Sequence, residues 1–313
     1  MTSASACGKT ILLGEHAVVY GRPALAVPVS DVRARCEVSD AAPGSGVRLV
    51  AQDLDAAFRL DGDDGGDTAR ALRLTVRNTC ARLGAVAGQL DLTIQVSSQI
   101  PIARGLGSGT ALTTAIVRAL TAHLGGYLDA GNVSALVYQT EMIYHGTPSG
   151  VDNTVVAWEK PVYFVKGAPP DLTLVGRPVT LVIADSGVPS RTRDAVQDLR
   201  DKWLADTGRY ERLFDAVGAL VERGRTALAT GALDTLGALM DENQRLLQQL
   251  DVSSGLLDRL IAVARSAGAL GCKLTGGGRG GCVVALVTDA TRDAVSEALL
   301  FEGAARVFPT VVR

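Results

Sequence analysis

Apolar residues recur with two different periods along the chain, and these periods predict which segments are strands and which are helices. Residues 32–39 and 90–96 alternate between apolar and polar positions, as half-buried strands do. Short apolar runs predict further strands at 11–13, 162–165, 180–184, 283–287 and 307–312. Helical spacing of apolar residues predicts helices at 68–83, 111–124, 131–144, 254–267 and 291–301, and over most of 192–250. Strands and helices therefore occur in both halves of the chain.

A glycine-rich stretch, PIARGLGSGT at 101–110, joins the strand at 90–96 to the helix at 111–124. Its glycines let the backbone take positive φ and approach a ligand, and Ser108 or Thr110 can cap the helix. Free N–H groups and the positive end of the helix dipole favour a phosphate in such a turn. A tight turn without a ligand would explain the glycines about as well. The stretch matches neither the Walker A motif nor the full dinucleotide fingerprint.

Two polar segments carry further candidate chemistry. The segment GEHAVVYG at 14–21 places Glu15 and His16 close to Lys9, between apolar runs where solvated charge has no obvious reason to be. The segment HGTPSGVDN at 145–153 follows the helix that carries Glu141, and it ends in a loop at Asp152. Each of these polar residues, taken alone, could equally be an ordinary solvated side chain at the surface. Two carboxylates about a loop apart, near a phosphate-type turn, suit a magnesium nucleotide, with one acid for the metal and one for the reacting hydroxyl.

Asp152 is better suited to positioning a hydroxyl than to removing its proton early. The reference pKa of aspartate is about 3.9, and a neighbouring lysine would lower it further. We expect Asp152 to align the hydroxyl oxygen with the γ-phosphorus and to take the proton late. Lys9 fits as its partner, because a cation near the hydroxyl and the γ-phosphate stabilises the charge that develops there.

Two more segments are rich in glycine. Residues 271–282, GCKLTGGGRGGC, lose much conformational entropy on ordering, and the strands on both sides indicate a loop that passes close to a ligand rather than a disordered connector. Residues 41–67 are rich in Gly, Asp and Ala, and we expect a mobile surface loop there. The acidic run at its end lacks the spacing of a calcium loop.

Composition limits the classes of ligand that the protein could bind and the cellular compartments in which it could work. With 313 residues, 47% of them hydrophobic, the chain can form two domains, each with a core. The balance of 31 basic and 33 acidic residues, with 4% aromatics, argues against a nucleic-acid or membrane surface and favours a small-molecule ligand. Five cysteines without a C-x-x-C pair predict reduced thiols in a cytoplasmic protein, with neither zinc nor disulfides. We expect no signal peptide and no membrane span.

Segments 8–21, 101–111 and 273–282, in that order, resemble the three signature motifs of the GHMP small-molecule kinases. GEHAVVYG and HGTPSGVDN are similar to the signatures of the mevalonate kinases within that family, whereas a galactokinase would show Thr-Asp where Ala17 and Val18 stand. The resemblance extends over residues 1–313. It implies an α+β fold of two domains, 1–165 and 166–313, with mixed and antiparallel sheets, helices, and an active site in the cleft between the domains.

The resemblance implies ATP-dependent phosphorylation of the 5-hydroxyl of (R)-mevalonate, with Mg2+, in the mevalonate route to isoprenoids. Asp152 and Lys9 would then be catalytic, and Glu141 and Ser108 would bind the metal. Four residues would contact mevalonate: Glu15, His16, Ser149 and Thr192. The ATP phosphates would lie along Gly105, Leu106, Gly107, Ser108, Gly109 and Thr110, beside Gly276, Gly277 and Gly278.

The chain departs from the family pattern at three positions. Cys7 replaces the usual Pro of Ala-Pro-Gly-Lys, a modest change in backbone stiffness. Gly109 replaces the second Ser of Gly-Leu-Gly-Ser-Ser, whose hydroxyl is expected on magnesium, so Ser108, Thr110 or water would have to substitute. Arg279 replaces a Gly in the last loop, where its cation would either touch phosphate or face solvent.

Alternative functions remain open from the sequence. One is a family member that binds ATP but has lost catalytic activity because Gly109 replaces the serine. The presence of Lys9, Glu141 and Asp152 together favours an enzyme. Another is a GHMP kinase or decarboxylase that acts on a related acceptor such as phosphomevalonate or homoserine. A phosphorylated acceptor would need extra cations, and the sequence does not place Arg104, Arg191 or Arg193. The assembly stays open between a monomer and a homodimer.

Overall fold

The computed structural model describes residues 1–63, 65–145, 148–190 and 192–313. The chain divides into two units. The first unit comprises Met1–Gly8, Val32–Ile100 and Ser108–Glu159, and the second comprises Lys9–Asp31, Pro101–Gly107 and Lys160–Arg313. The chain thus passes between the units several times. The predicted division into 1–165 and 166–313 stays a prediction.

The first unit combines a mixed sheet with helices. Its strands are the start of β1 (Thr2–Leu13), the later part of β2 (Ala24–Asp40), β3 (Val47–Ala51), β4 (Ala56–Arg59) and β5 (Leu92–Ser98). The β5 strand pairs antiparallel with residues 34–40 of β2 and parallel with β3, and β3 pairs antiparallel with β4. The helices are α1 (Gly66–Arg82), α2 (Ser108–His123), α3 (Ala130–His145) and α4 (Val151–Trp158). The α1 helix packs against α2 and α3, and α2 also packs on β5.

The prediction of a mobile loop over 41–67 is wrong for β3 and β4. Val47, Leu49 and Ala51 are buried, whereas Arg48 between them is exposed, so β3 has the period of a half-buried strand. The apolar side chains of β3 are three, small or medium in size, and they lie in a segment rich in Gly and Asp. Their alternation is therefore too weak to predict a strand. The mixed sheet therefore extends two strands further than the sequence indicates.

The second unit contains the remaining strands and helices. Its strands are β6 (Val162–Phe164), β7 (Asp171–Leu172), β8 (Val179–Asp185), β9 (Gly271–Thr275), β10 (Cys282–Val287) and β11 (Arg306–Val312). The last four form an antiparallel sheet in the order β11-β8-β10-β9. The β6 strand pairs antiparallel with residues 24–26 of β2 and with β7. The helices are α5 (Thr192–Ala205), α6 (Thr207–Thr230), α7 (Leu233–Gln249), α8 (Gly255–Ser266) and α9 (Arg292–Phe301).

The core of the second unit lies between this antiparallel sheet and its helices. All six residues of β10 are buried, and α8 packs on β9 and β10 while α9 packs on β8 and β11. Phe214 on α6 is fully buried, and its ring stacks on Tyr20 with 4.1 Å between the centroids. Most apolar positions of the helices in 192–250 thus belong to the core, whereas Leu204 is exposed. Among the described helices, none is long and apolar enough to cross a membrane.

Candidate active site

The glycine-rich turn at Pro101–Gly107 in the second unit, called the phosphate turn here because a phosphate is expected at it, is held by backbone contacts. Gly105 and Gly107 have φ of +82° and +72°, in the left-handed region that favours glycine. The N–H of Lys9 donates to the carbonyl of Leu106 at 3.0 Å, which ties the turn to β1. A Cβ at Gly276 would lie 2.8 Å from Cα of Gly105. The two glycine-rich segments therefore lie backbone against backbone, at a separation that only glycine permits.

Arg104 is engaged by the protein itself. Its Nε lies 3.0 Å from a carboxylate oxygen of Asp185, and its guanidinium donates to the carbonyl of Gly187 at 3.0 Å. These contacts join the phosphate turn to the end of β8. Of the other two arginines that the sequence left unplaced, Arg193 is exposed on the first turn of α5, and Arg191 lies outside the described residues.

In the first unit, the start of α2 contacts Glu141, the carboxylate that is expected to bind the metal. Ser108, Gly109 and Thr110 form the first turn of α2, directly after the phosphate turn along the chain. The hydroxyl of Thr110 donates to Oε1 of Glu141 at 2.8 Å. Both side chains are buried, with 2% of Thr110 and 3% of Glu141 exposed. Oxygen donors of this kind suit magnesium, which commonly takes one or two protein carboxylates together with phosphates and water.

Asp152 lies in the first turn of α4, a helix that the sequence did not predict. Gly150 precedes this helix with φ of +96°, and the N–H of Val151 donates to the hydroxyl of Ser149 at 3.3 Å. The side chain of Asn153 donates to the hydroxyl of Ser134 at 2.8 Å, which anchors α4 to α3. Asp152 is partly exposed there, and a carboxylate is favoured at a helix N-terminus. Gly146 and Thr147 of the predicted loop lie outside the described residues.

Glu15, expected to contact substrate, is held inside the second unit by two other side chains. Its carboxylate forms an ion pair with Lys273 and accepts a hydrogen bond from Asn243 at 3.1 Å. All three side chains are buried, and Glu15 is only 1% exposed. Burial raises the pKa of Glu15, and the charge of Lys273 opposes this shift. The sequence did not point to Lys273 or Asn243, because residues 271–282 were predicted to be a loop, whereas Lys273 lies on the buried strand β9.

His16 is a neutral, buried imidazole. Its φ is +63°, and it directly precedes a 3₁₀ turn at Ala17–Tyr20. Burial lowers the pKa of His16 to about 4, and a hydrogen bond with the Gly277 backbone opposes the shift. Its Nε2 has no hydrogen-bond partner among the residues that the structure describes.

Thr192 lies beside the same glycine. A Cβ at Gly277 would be 2.4 Å from Oγ1 of Thr192, so the first turn of α5 packs directly on the glycine loop. The hydroxyl of Ser190 lies 3.2 Å from Oγ1 of Thr192 and donates to the carbonyl of Gly278 at 3.1 Å. The second unit therefore brings together His16, the glycine loop and Thr192.

The side chain of Arg279 contacts other parts of the protein. Its guanidinium forms an ion pair with Asp198 on α5, and its Nε donates to the carbonyl of Asp251 at 3.3 Å. Its own N–H donates to the carbonyl of Val252 at 2.9 Å. The arginine thus connects the glycine loop to α5 and to the segment between α7 and α8.

Lys9 and Asp152 belong to different units. Lys9 lies on β1 with 3% of its surface exposed, in the part of the chain assigned to the second unit. Asp152 belongs to the first unit, together with Ser108, Glu141 and Ser149. Their partnership in catalysis stays a prediction, as do the individual roles of the other predicted site residues.

Comparison with known proteins identifies the family. The GHMP kinases N terminal domain matches residues 70–159, and the GHMP kinases C terminal domain matches residues 225–305. The chain is 32% identical to the mevalonate kinase of Thermococcus sibiricus, over 91% of this chain and 89% of that protein. It is 34% identical to the mevalonate kinase of Aeropyrum pernix, over 90% and 87% of the two chains.

A solved structure gives the same result. The crystal structure of L. major mevalonate kinase in complex with R-mevalonate is 27% identical, with a TM-score of 0.83 over 100% of this chain and 96% of that chain. The sequence similarity and the fold agree along nearly the whole length. The chain belongs to the GHMP kinase family.

Proposed function

We propose that the protein transfers the γ-phosphoryl group of ATP to the 5-hydroxyl of (R)-mevalonate and so produces 5-phosphomevalonate. The observation that carries this proposal is the similarity to mevalonate kinases along nine-tenths of the chain, at 32% identity to the relative from T. sibiricus. The full-length likeness to a mevalonate kinase in complex with R-mevalonate supports it.

The glycine segments of the second unit and, in the first unit, the start of α2 each carry groups of the kind that bind a phosphate. Positive φ at Gly105 and Gly107 leaves the turn open to close approach by a phosphate. Backbone N–H groups at the first turn of α2 are free of intrahelical partners, as at any helix start, and attract an anion. Magnesium bound beside Glu141 would neutralise charge on the β- and γ-phosphates.

The polar groups described near His16 suit an acceptor that carries hydroxyl groups. Because burial lowers the pKa of His16 to about 4, its imidazole is neutral at pH 7. With one ring nitrogen engaged by the Gly277 backbone, Nε2 can accept a hydrogen bond from a substrate hydroxyl. Thr192, which packs on the same Gly277, adds a second neutral polar group.

A phosphorylated acceptor has less support. Such a substrate needs cations that can contact its phosphate. Nε of Arg104 pairs with Asp185, although its buried Nη1 has no hydrogen-bond partner among the described residues, and Arg279 pairs with Asp198. Arg193 is exposed on α5. The similarity to mevalonate kinases therefore carries the preference for mevalonate over phosphomevalonate.

For the chemical step we propose the roles that the family motifs suggest. Asp152 would accept the hydrogen bond of the 5-hydroxyl, orient its oxygen towards the γ-phosphorus and take up the proton late. Lys9 would stabilise the charge that develops on the transferring group. We also propose a cytoplasmic location, since all five cysteines are free thiols.

The test is a phosphoryl-transfer assay on the purified protein. The protein is incubated with Mg-ATP and, separately, with mevalonate, phosphomevalonate, homoserine or galactose, and mass spectrometry scores the gain of one phosphoryl group. We expect mevalonate alone to gain phosphate. Transfer to a different acceptor would replace the proposed substrate, and ATP binding without transfer to any acceptor would favour a non-catalytic family member.

A further inference from the structure

The first turn of α2 lacks a hydroxyl at position 109, where the family motif has one, and carries a hydroxyl at Thr110. Gly109 stands where the GHMP motif has a serine, so this position offers magnesium no side-chain oxygen. At the next position, the hydroxyl of Thr110 donates to Oε1 of Glu141 at 2.8 Å. We propose that Thr110 is a positioning residue for the metal: its hydroxyl holds the Glu141 carboxylate in the orientation that takes up magnesium. This inference rests on the proposed use of Mg-ATP.

Burial gives this hydrogen bond its importance. Glu141 is 3% exposed and Thr110 is 2% exposed, so water has little access to compete for the contact. A hydrogen bond to one carboxylate oxygen restricts rotation of the whole group. Magnesium demands near-ideal octahedral geometry, so a carboxylate that is already oriented binds it better than one free to turn. Partners that orient metal ligands affect metal affinity without touching the ion.

Thr110 contacts Glu141 and also lies in the helix turn that is expected to bind the ATP phosphates. Thr110 lies in the same first turn of α2 as Ser108, which directly follows the phosphate turn along the chain. Phosphate binding at this helix start and orientation of Glu141 therefore depend on the same short segment. Thr110, one of the candidates that the sequence offered to replace the missing serine, contacts Glu141 through its hydroxyl.

The same helix provides a matched control. Thr114 lies one turn further along α2, is completely buried, and its hydroxyl has no hydrogen-bond partner among the residues that the structure describes. Thr114→Val and Thr110→Val make the same chemical change in the same helix at similar burial. Only Thr110→Val removes a hydroxyl that contacts Glu141.

The experiment measures metal binding directly, without an acceptor and without turnover. Mn2+ is titrated into each protein in the presence of a non-hydrolysable ATP analogue, and free Mn2+ is followed by electron paramagnetic resonance. We expect Thr110→Val to weaken Mn2+ binding about 10- to 100-fold, the usual effect of losing a partner that orients a metal ligand. Thr110→Ser and Thr114→Val should bind Mn2+ as the unmodified protein does. Thermal unfolding checks each fold, and Thr110→Ala replaces Thr110→Val if the valine variant does not fold.

Three outcomes would overturn the proposal: unchanged Mn2+ affinity in Thr110→Val, an equal loss in Thr114→Val, or no rescue by serine. Phosphorylation of mevalonate by the unmodified protein is a separate measurement. Failure of the proposed function would therefore be distinguished from failure of this inference.

Discussion

Replacing Lys273 by methionine should strongly destabilise the second unit. Lys273 is fully buried on β9, where its ammonium pairs with Glu15 and donates to the carbonyl of Leu274 at 2.5 Å. Methionine keeps most of the volume but removes the cation, so the buried Glu15 carboxylate keeps its hydrogen bond from Asn243 without the charge that compensates it. Removing one partner of a buried ion pair typically costs about 3–5 kcal/mol, because the remaining charge is uncompensated.

The cost of this substitution should depend on pH. Burial already raises the pKa of Glu15, and Lys273 is the main charge that opposes the shift. In Lys273→Met that opposition is lost, so the folded protein holds a proton on Glu15 at pH values where the unfolded chain, with a glutamate pKa of about 4.3, has released it. The stability of the variant relative to the unmodified protein should therefore fall as pH rises from the raised pKa of Glu15 in the unmodified protein to the still higher pKa of Glu15 in the variant. The loss should be smaller at pH 5 than at pH 8.

Urea unfolding followed by tryptophan fluorescence measures the effect. Trp203 in the second unit is partly buried and donates to Glu211 at 2.8 Å, so its emission should report unfolding of that unit. Arg223→Met is the matched control, because Arg223 pairs with Glu242 on the surface at 3.6 Å and such pairs contribute about 1 kcal/mol or less. The double variant Glu15→Gln/Lys273→Met should be less destabilised than the sum of the single variants by about 2 kcal/mol. A loss in Lys273→Met no larger than in the control, or simple additivity in the double variant, would refute the reasoning.

Three further predictions concern the site. Asp152→Asn should leave ATP affinity nearly unchanged and lower the single-turnover rate about 10²- to 10⁴-fold, and an unchanged rate would remove Asp152 from the mechanism. Gly109→Ser should lower the Mg2+ concentration needed for half-maximal activity, and no change would mean that another group already fills that position. Because burial lowers the pKa of His16 to about 4 from 6.5, its contribution to stability is present above pH 6.5 and lost as pH falls towards 4. The loss is about 3 kcal/mol, and His16→Asn should flatten the unfolding free energy measured across that range, whereas an unchanged slope would contradict the shift.

Most of the helices could be predicted from the sequence because each has a long apolar stripe with a single period. The helix predicted at 111–124 appears as Ser108–His123, and the one predicted at 254–267 appears as Gly255–Ser266. Helix α4 was missed because it is only eight residues long and follows Pro148 and Gly150, whose turn chemistry suggested a continuing loop. Short elements have too few periods to be distinguished from the turns around them.

The sequence predicts the residue types of the site more readily than the contacts between those residues. Glu15, His16 and Glu141 stood out because charged or polar groups interrupt apolar segments. The pairing of Glu15 with Lys273 joins positions 258 residues apart, and nothing in a single sequence records such a pair. The hydrogen bond between Thr110 and Glu141 was hidden for the same reason, since it joins two different helices.

Arg279 shows why the glycine loop is better understood as a rigid element than as a flexible one. Arg279 has φ of +56°, a conformation that costs a non-glycine residue about 1–2 kcal/mol, and its contacts with Asp198 and Asp251 offset that strain. On the other side of the loop, a Cβ at Gly278 would lie 1.9 Å from the carbonyl oxygen of Val252. The neighbouring Gly277 packs on Thr192 in the same way. The glycines therefore allow close backbone contacts on several sides, and these contacts hold the loop that hydrogen-bonds to His16.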